Sequence, residues 1–407
     1  MRRPSVSSAR HSSAQRRAAV ILAGFAGFLQ IWATQPLLPL FQTLFHASET
    51  MVSMTITVPS LGVAVSAPLW GFLADRAGRR RVIVWSAFLL AASSLATSTA
   101  ATLGQLLFWR FWQGVFTPGV FAVAVAYIND EWRGAGAGKM VAAYISGTVS
   151  GGFSSRVISG LVAAHGPWQR VFLMLGSLNL LAAIAIWAWL PEESHALERS
   201  AEVGWANAAW GHVRNRQLLA AYLVGFCVLF SLVGTFTYVT FYLAAPPFNL
   251  QPAALGSIFF VYLVGVVITP LAGRAIDRHG HRAALAAAIV MSAAGIGLTL
   301  LEHLWAVALG LAVCCTGVFI AQASASAFVG VAAEKNRALA IGLYATFYYL
   351  GGSAGASAPG FFYARAGWPG CAAFLAGVQT LTVLLALRFW KPEIKAYSSG
   401  DVRGISV

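Results

Sequence analysis

The chain has 407 residues, 58% of them hydrophobic and only 10% charged, with a formal net charge of +14. A soluble domain of this length cannot hide so much apolar surface, which excludes a water-soluble enzyme or scaffold. A basic excess can mark a nucleic-acid binder, so where the arginines fall along the chain decides its meaning.

Residues 1–17 form a basic tail holding Arg2, Arg3, Arg10, Arg16 and Arg17. A helix crossing the ~30 Å hydrocarbon core needs roughly 20 mainly apolar residues. Runs of that kind are predicted at 18–44, 50–73, 82–101, 104–128, 139–163 and 169–190. A second set is predicted at 218–245, 252–275, 283–301, 304–331, 338–363 and 367–390. The polar stretch 191–217 separates them as a linker, and 391–407 forms a C-terminal tail. The first run is too long for a signal-peptide core and no A-x-A site follows it, so it is expected to stay as a span. The expected fold is an all-α membrane protein: twelve transmembrane helices in two pseudo-symmetric six-helix bundles, 18–190 and 218–390.

The arginines follow these spans. Arg76, Arg79, Arg80 and Arg81 lie between spans two and three, and Arg133, Arg214, Arg216, Arg278, Arg282 and Arg337 follow later even-numbered spans. The opposite loops hold only Arg170 and Arg365, near helix ends. This positive-inside asymmetry predicts that both termini are cytoplasmic. The basic charge therefore reports topology and implies no nucleic acid. Cys227, Cys314, Cys315 and Cys371 all fall inside predicted spans, which offers no disulfide framework and no metal cluster.

The two halves repeat each other. Gly71-x-x-x-Asp75-Arg76-x-Gly78-x-Arg80 returns as Gly273-x-x-x-Asp277-Arg278-x-Gly280-x-Arg282. Arg133, Gly138, Tyr144, Gly147 and Gly151 correspond to Arg337, Gly342, Tyr348, Gly351 and Gly355. Trp168 has its counterpart in Trp368, and Pro191-Glu192 in Pro392-Glu393.

With these landmarks the whole chain resembles the major facilitator superfamily. The stretch 71–81 is similar to that family's loop signature between spans two and three, and Arg110-x-x-Gln113-Gly114 to its fourth-span signature. Gln35-Pro36-Leu37-Leu38-Pro39 and Tyr242-x-x-x-Pro246-Pro247-Phe248 resemble the YnfM-like bacterial inner-membrane branch, near the twelve-span drug:proton antiporters. The resemblance implies a bacterial inner-membrane location, a central cavity at mid-membrane, alternating access by rocking of the bundles, and a monomer.

In the loop motif, Gly71 and Gly78 permit close helix approach and a tight turn. Asp75 can accept from a helix N-terminus or pair with an arginine such as Arg133. Asp130 or Glu131 can meet Arg76, Arg79 or Arg80. The cluster is expected to latch the bundles when the cavity opens outward. Its second copy, Gly273, Asp277, Arg278, Gly280 and Arg282, is expected to act more weakly, since His281 replaces Arg79. Arginines that merely enforce topology are the plain alternative for Arg79 and Arg81, but acidic residues contribute little to orientation, so that alternative does not explain Asp75 or Asp277.

Two charges are predicted well inside the membrane, Arg110 and Arg156, each roughly 10 Å from the outer end of its helix at ~1.5 Å rise per residue. Intramembrane charges normally face a bundle interior or a wet cavity. Arg110, Gln113, Gly114 and Thr117 share one helical face, and Thr148, Gly152, Arg156 and Gly160 recur every fourth residue. The resemblance links Arg110 and Gln113 to proton coupling, whereas Arg156 has no place in the general motif. Either arginine can instead satisfy backbone carbonyls and fix helix packing. No Asp, Glu or His falls in the middle of a predicted span. Two cavity-facing arginines without such a carboxylate favour anionic or carbonyl-bearing substrates over lipophilic cations.

Spans one, four, seven and ten line the cavity in the family, which makes Gln35, Gln113, Tyr238 and Gln322 candidates, with Tyr348 of span eleven. Ordinary interhelical hydrogen bonding is the competing expectation for each. The glycine clusters at 147–152 and 351–355 sit in apolar helices and do not form a nucleotide loop. No enzyme and no cofactor are expected. The expected function is a secondary transporter of a small organic molecule, working as a proton-coupled exporter. A facilitator or importer of an anionic or neutral metabolite is the first rival, and a non-transporting membrane sensor the second.

Overall fold

The computed structural model describes residues 12–132, 135–193, 205–264, 268, 273, 276, 278–333 and 335–390. The first span is broken. Helix α1 (Ser13–Phe28) gives way to turns, a 3-10 turn at Gln35–Leu37 and a short helix α2 (Leu38–Phe45). Pro36 stands in that 3-10 turn, where its fixed φ and missing N–H interrupt a regular ladder.

The rest of the first half is α3 (Glu49–Ala77), α4 (Arg79–Thr97), α5 (Leu103–Glu131), α6 (Ala135–Ala164) and α7 (Gln169–Trp189). A linker helix α8 (Trp205–Arg214) precedes α9 (Arg216–Ala244) and α10 (Pro252–Ile258), the start of span eight. The second half then runs through α11 (His281–Leu298), α12 (Leu304–Ala332), α13 (Arg337–Ser357) and α14 (Gly360–Phe389). Among the described residues, seven of these helices are long and apolar enough to cross a membrane by length and composition. The others that occupy predicted spans are broken, charge-bearing at one end, rich in small residues or only partly described. Where they are described, span ends fall within a few residues of expectation except between spans eleven and twelve, where α13 already ends at Ser357. There α14 starts earlier but is interrupted at Ala366 and at Gly367, whose φ is +58, close to the sequence-predicted start.

The duplication is visible as repeated packing. Where a Cβ would stand, Gly147 and Gly151 meet the backbone of Ile21 and Phe25, which presses α6 onto α1. Gly351 and Gly355 meet the backbone of Phe226 and Phe230 in the same way, pressing α13 onto α9. A side chain at any of the four would push the pair apart, so these glycines are helix contacts, as expected for small residues in spans.

The two bundles touch along two seams. In one, Gly160 of α6 lies against Pro252 and Gly256 of α10. In the other, Ser353 of α13 donates to the Thr57 carbonyl of α3 at 3.1 Å, and Thr50 lies against Gly360. These contacts sit in the half away from the arginine-rich loops. Toward the arginine-rich end the second seam opens: Val65, Leu69 and Ile341 are 61%, 65% and 53% exposed. Among the described residues the second seam is therefore closed at one end and parted at the other.

Candidate functional site

At the arginine-rich end, Gly78 and Gly280 both adopt positive φ, +93 and +82, in equivalent turns. These are conformations that favour glycine, so the turn role of the motif's second glycine holds in both copies. The first glycine differs from expectation. The Cβ positions of Gly71 and Gly273 have no atom within 4 Å, so neither makes a close helix approach in this state.

Arg79 pairs with Asp130 and donates to the Ala126 carbonyl at 3.1 Å, while Asp75 stands 3.8 Å away from it. Both ion pairs stay inside the first bundle. Arg76 lies over the Phe72 ring at 4.0 Å. Arg80 reaches the end of α7, donating to the carbonyls of Leu190 and Trp187 at 2.7 and 2.8 Å. These carbonyls have no intrahelical partner of their own at a helix C-terminus, where a cation is favoured. The Glu193 carboxylate accepts from the Arg80 backbone N–H at 2.8 Å, at the start of α4, and Tyr127 Oη donates to the Pro191 carbonyl at 2.7 Å. Sequence reasoning missed Glu193; its position directly after span six was the available signal. Arg133 and Asp277 lie outside the described residues. Arg278 is exposed and Arg282 half-buried.

Arg110 is fully buried, and four of its N–H groups are engaged. Nε donates to the Thr55 carbonyl at 2.9 Å, Nη1 to the Gln30 carbonyl at 2.7 Å and to Gln113 Oε1 at 2.6 Å, and Nη2 to the Ile31 carbonyl at 2.5 Å. The reason lies in the chain. Pro59 has no N–H for Thr55, four residues earlier, and the break after α1 frees the Ile31 carbonyl and leaves that of Gln30 only the Ala33 N–H at 3.3 Å. Backbone groups freed inside a membrane must find a partner in the protein. Gln113 in turn donates to Thr97 at 2.8 Å. The geometry of Arg110 and Gln113 is thus that of a clamp on two irregular helices.

Arg156 is placed differently. It is 5% exposed and lies where the bundles meet. Nε donates to Gln35 Oε1 at 2.7 Å and Nη1 to the Gly152 carbonyl one turn earlier. The guanidinium stands 5.8 Å from the Trp32 ring, 4.9 Å from Phe259 and 4.8 Å from Tyr262. Gln35 and Trp32 come from the break in span one, Phe259 and Tyr262 from span eight. The aromatic walls were missed in the sequence, where Phe259-x-x-Tyr262 reads as ordinary apolar helix.

Three further candidates are spread through the second bundle. Tyr238 is buried, donating to the Ala356 and Ser357 carbonyls at 2.9 and 3.2 Å. It lies in the closed seam beside Gly360 and Thr50, and does not face an open cavity here. Above that seam, a depression of about 680 Å³ is lined by residues including Ser48, Ser357 and Arg365. Gln322 accepts from Tyr344 at 2.8 Å, and Tyr348 stacks on Tyr344 with centroids 6.0 Å apart. Tyr349 reaches Phe121 of the first bundle at 5.7 Å.

The sequence and this architecture have known counterparts. The family model described as Major Facilitator Superfamily matches residues 20–261 and 239–405. An uncharacterized MFS-type transporter of Bacillus subtilis, YybF, is 32% identical over 370 residues, covering 91% of each chain. The inner membrane transport protein YnfM of Escherichia coli is 28% identical over 371 residues, covering 91% of this chain and 89% of that one. Among solved structures, the nucleoside transporter NupG superposes with a TM-score of 0.76 at 15% identity, covering 92% of this chain and all of that one. The human organic anion transporter MFSD10 superposes with a TM-score of 0.70 at 19% identity, with the same coverage. A repeated loop signature, two matching bundles and relatives spanning nine-tenths of the length lead to one conclusion: the chain is a membrane transporter belonging to the major facilitator superfamily.

Proposed function

We propose that the protein is a secondary active transporter that exports a small organic molecule across a bacterial inner membrane in exchange for protons. It works by alternating access. The observation that carries this reading is the asymmetry of the second seam, closed at one end and parted at the arginine-rich end, which the positive-inside rule predicts to be cytoplasmic. A molecule entering from the cytoplasm meets the interface between the bundles, and rocking then exposes it to the other side. Export is supported by similarity to the multi-drug resistance efflux pump PmrA of Streptococcus pneumoniae, 26% identical over 182 residues. The motif residues Asp75, Arg76, Arg79 and Arg80, with Arg133 and the second copy, are assigned to the cytoplasmic latch that closes in the opposite state.

A second reading is import or facilitated passage of an anionic or neutral metabolite. It is favoured by Arg156, a buried cation at the bundle interface, and by the solved structure of MFSD10, an organic anion transporter. The two readings separate in proteoliposomes preloaded with candidate substrates, with and without an imposed pH gradient. Substrate efflux accelerated by a proton gradient directed the other way supports the exporter. Exchange that ignores the pH gradient overturns proton coupling and leaves facilitation. Specific binding with no flux overturns transport and leaves a sensor.

A further inference from the structure

The surroundings of Arg156 hold more hydrogen-bond donors than acceptors. Arg156 Nη2 makes no hydrogen bond. Gln35 is 1% exposed, spends its Oε1 on Arg156, and its Nε2 has no acceptor. That amide orientation is the one that sets an acceptor against the Arg156 Nε–H. Two donor groups on adjacent side chains are therefore left waiting in a buried place. No described carboxylate pairs with the guanidinium, whose residue is 5% exposed.

A buried guanidinium without a counter-ion is costly. Contact with ring faces offsets part of that cost, and the missing part is negative charge. The fork geometry of a guanidinium matches a carboxylate through two parallel N–H···O bonds. Trp32, Phe259 and Tyr262 surround the cation with flat apolar walls. Resting on the transporter reading, we propose that Arg156 and Gln35 form the anion-binding end of the substrate site, which takes an organic acid with a flat, apolar body. The carboxylate receives hydrogen bonds from Arg156 and from Gln35 Nε2, and its ring system lies against the aromatic residues. Arg156 and Gln35 belong to the first bundle, Phe259 and Tyr262 to the second, so the ligand is held by both moving parts.

The test uses the purified full-length protein and four probes: 1-naphthoate, its neutral amide, naphthylmethylammonium, and decanoate. Binding is read by Trp fluorescence and by thermal stabilisation, which rises with occupancy of the native state. Naphthoate is expected to bind at least about tenfold more tightly than the amide, as for loss of a charge-assisted pair. The ammonium should not bind, and decanoate, with the same charge on a flexible chain, should bind at least about tenfold more weakly. Arg156→Gln should remove the preference for naphthoate over the amide while its unliganded melt stays near that of the parent, and Gln35→Leu should weaken naphthoate alone. Equal affinity for acid and amide, or naphthoate binding unchanged in Arg156→Gln, overturns the proposal. Equal binding of decanoate overturns the flat body. Because these are equilibrium measurements, binding without flux leaves the site standing and removes the transport reading, whereas flux of other solutes without naphthoate binding does the reverse.

Discussion

At the scale of single residues, the two membrane arginines separate by what they touch. Arg110 meets four acceptors, among them the carbonyls of Thr55 and Ile31 that Pro59 and the break after α1 leave without a helical partner, whereas Arg156 meets two. Each buried acceptor left unpaired costs about 1–3 kcal/mol. Arg110→Ala should therefore lower the melting temperature of the purified protein markedly, and an unchanged melt would remove its role as a clamp. Asp75 predicts the opposite pattern. It is largely exposed and 3.8 Å from Arg79, a surface pair worth roughly 0–1 kcal/mol. Asp75→Asn should leave the melt and membrane insertion nearly unchanged while reducing flux, since its assigned partner forms only in the other state. Normal flux at matched expression would take Asp75 out of the mechanism.

At the scale of elements, the seams decide which face is open. Gly256 of α10 stands against the Arg156 carbonyl and against Gly160, with no room for a side chain. Gly256→Val should wedge the outer seam and favour the opposite state, because a few kcal/mol is enough to reverse such a population. In a Thr50→Cys background, where the native cysteines Cys227, Cys314, Cys315 and Cys371 are all buried, thiol labelling from outside should speed up. Unchanged labelling would show that this seam does not govern access. Helix positions were readable from apolar runs, and the duplicated turn from Gly78 and Gly280, because these are local signals. The partners were not readable. That Arg110 would serve carbonyls freed by Pro59 and by the break after α1 depends on three distant segments converging. Tyr238 shows the same limit: the family resemblance made span seven cavity-lining, but only the packing of α9 on α13 placed this residue in a seam. The aromatic walls of Arg156 come from the other half of the chain, and nothing in periodicity distinguishes a wall from a core.

At the scale of the whole molecule, the arginine distribution predicts the orientation of the parted end. A fluorescent protein fused after Val407 should fold and fluoresce in the cytoplasm, and a periplasmic alkaline phosphatase in the same place should stay inactive. The reverse pair of results would turn the protein over and make the parted end face outward. The proposed rocking motion requires rigid halves, and glycine-mediated contact of α1 with α6 and of α9 with α13 holds each half together.

The fit of Arg110 to Pro59 carries a consequence for how substitutions combine. Each residue on its own looks like a defect, a missing amide in one helix and a stranded cation in another, and each repairs the other. Replacing Pro59 with alanine restores an amide that competes for the Thr55 carbonyl, so the arginine loses one of its anchors. Removing both should cost less than the sum of the two separate losses, by an interaction energy of roughly 0.5–3 kcal/mol. Inheritance of this bundle is then expected to keep or change the two positions together, as if one amino acid had been written across two helices.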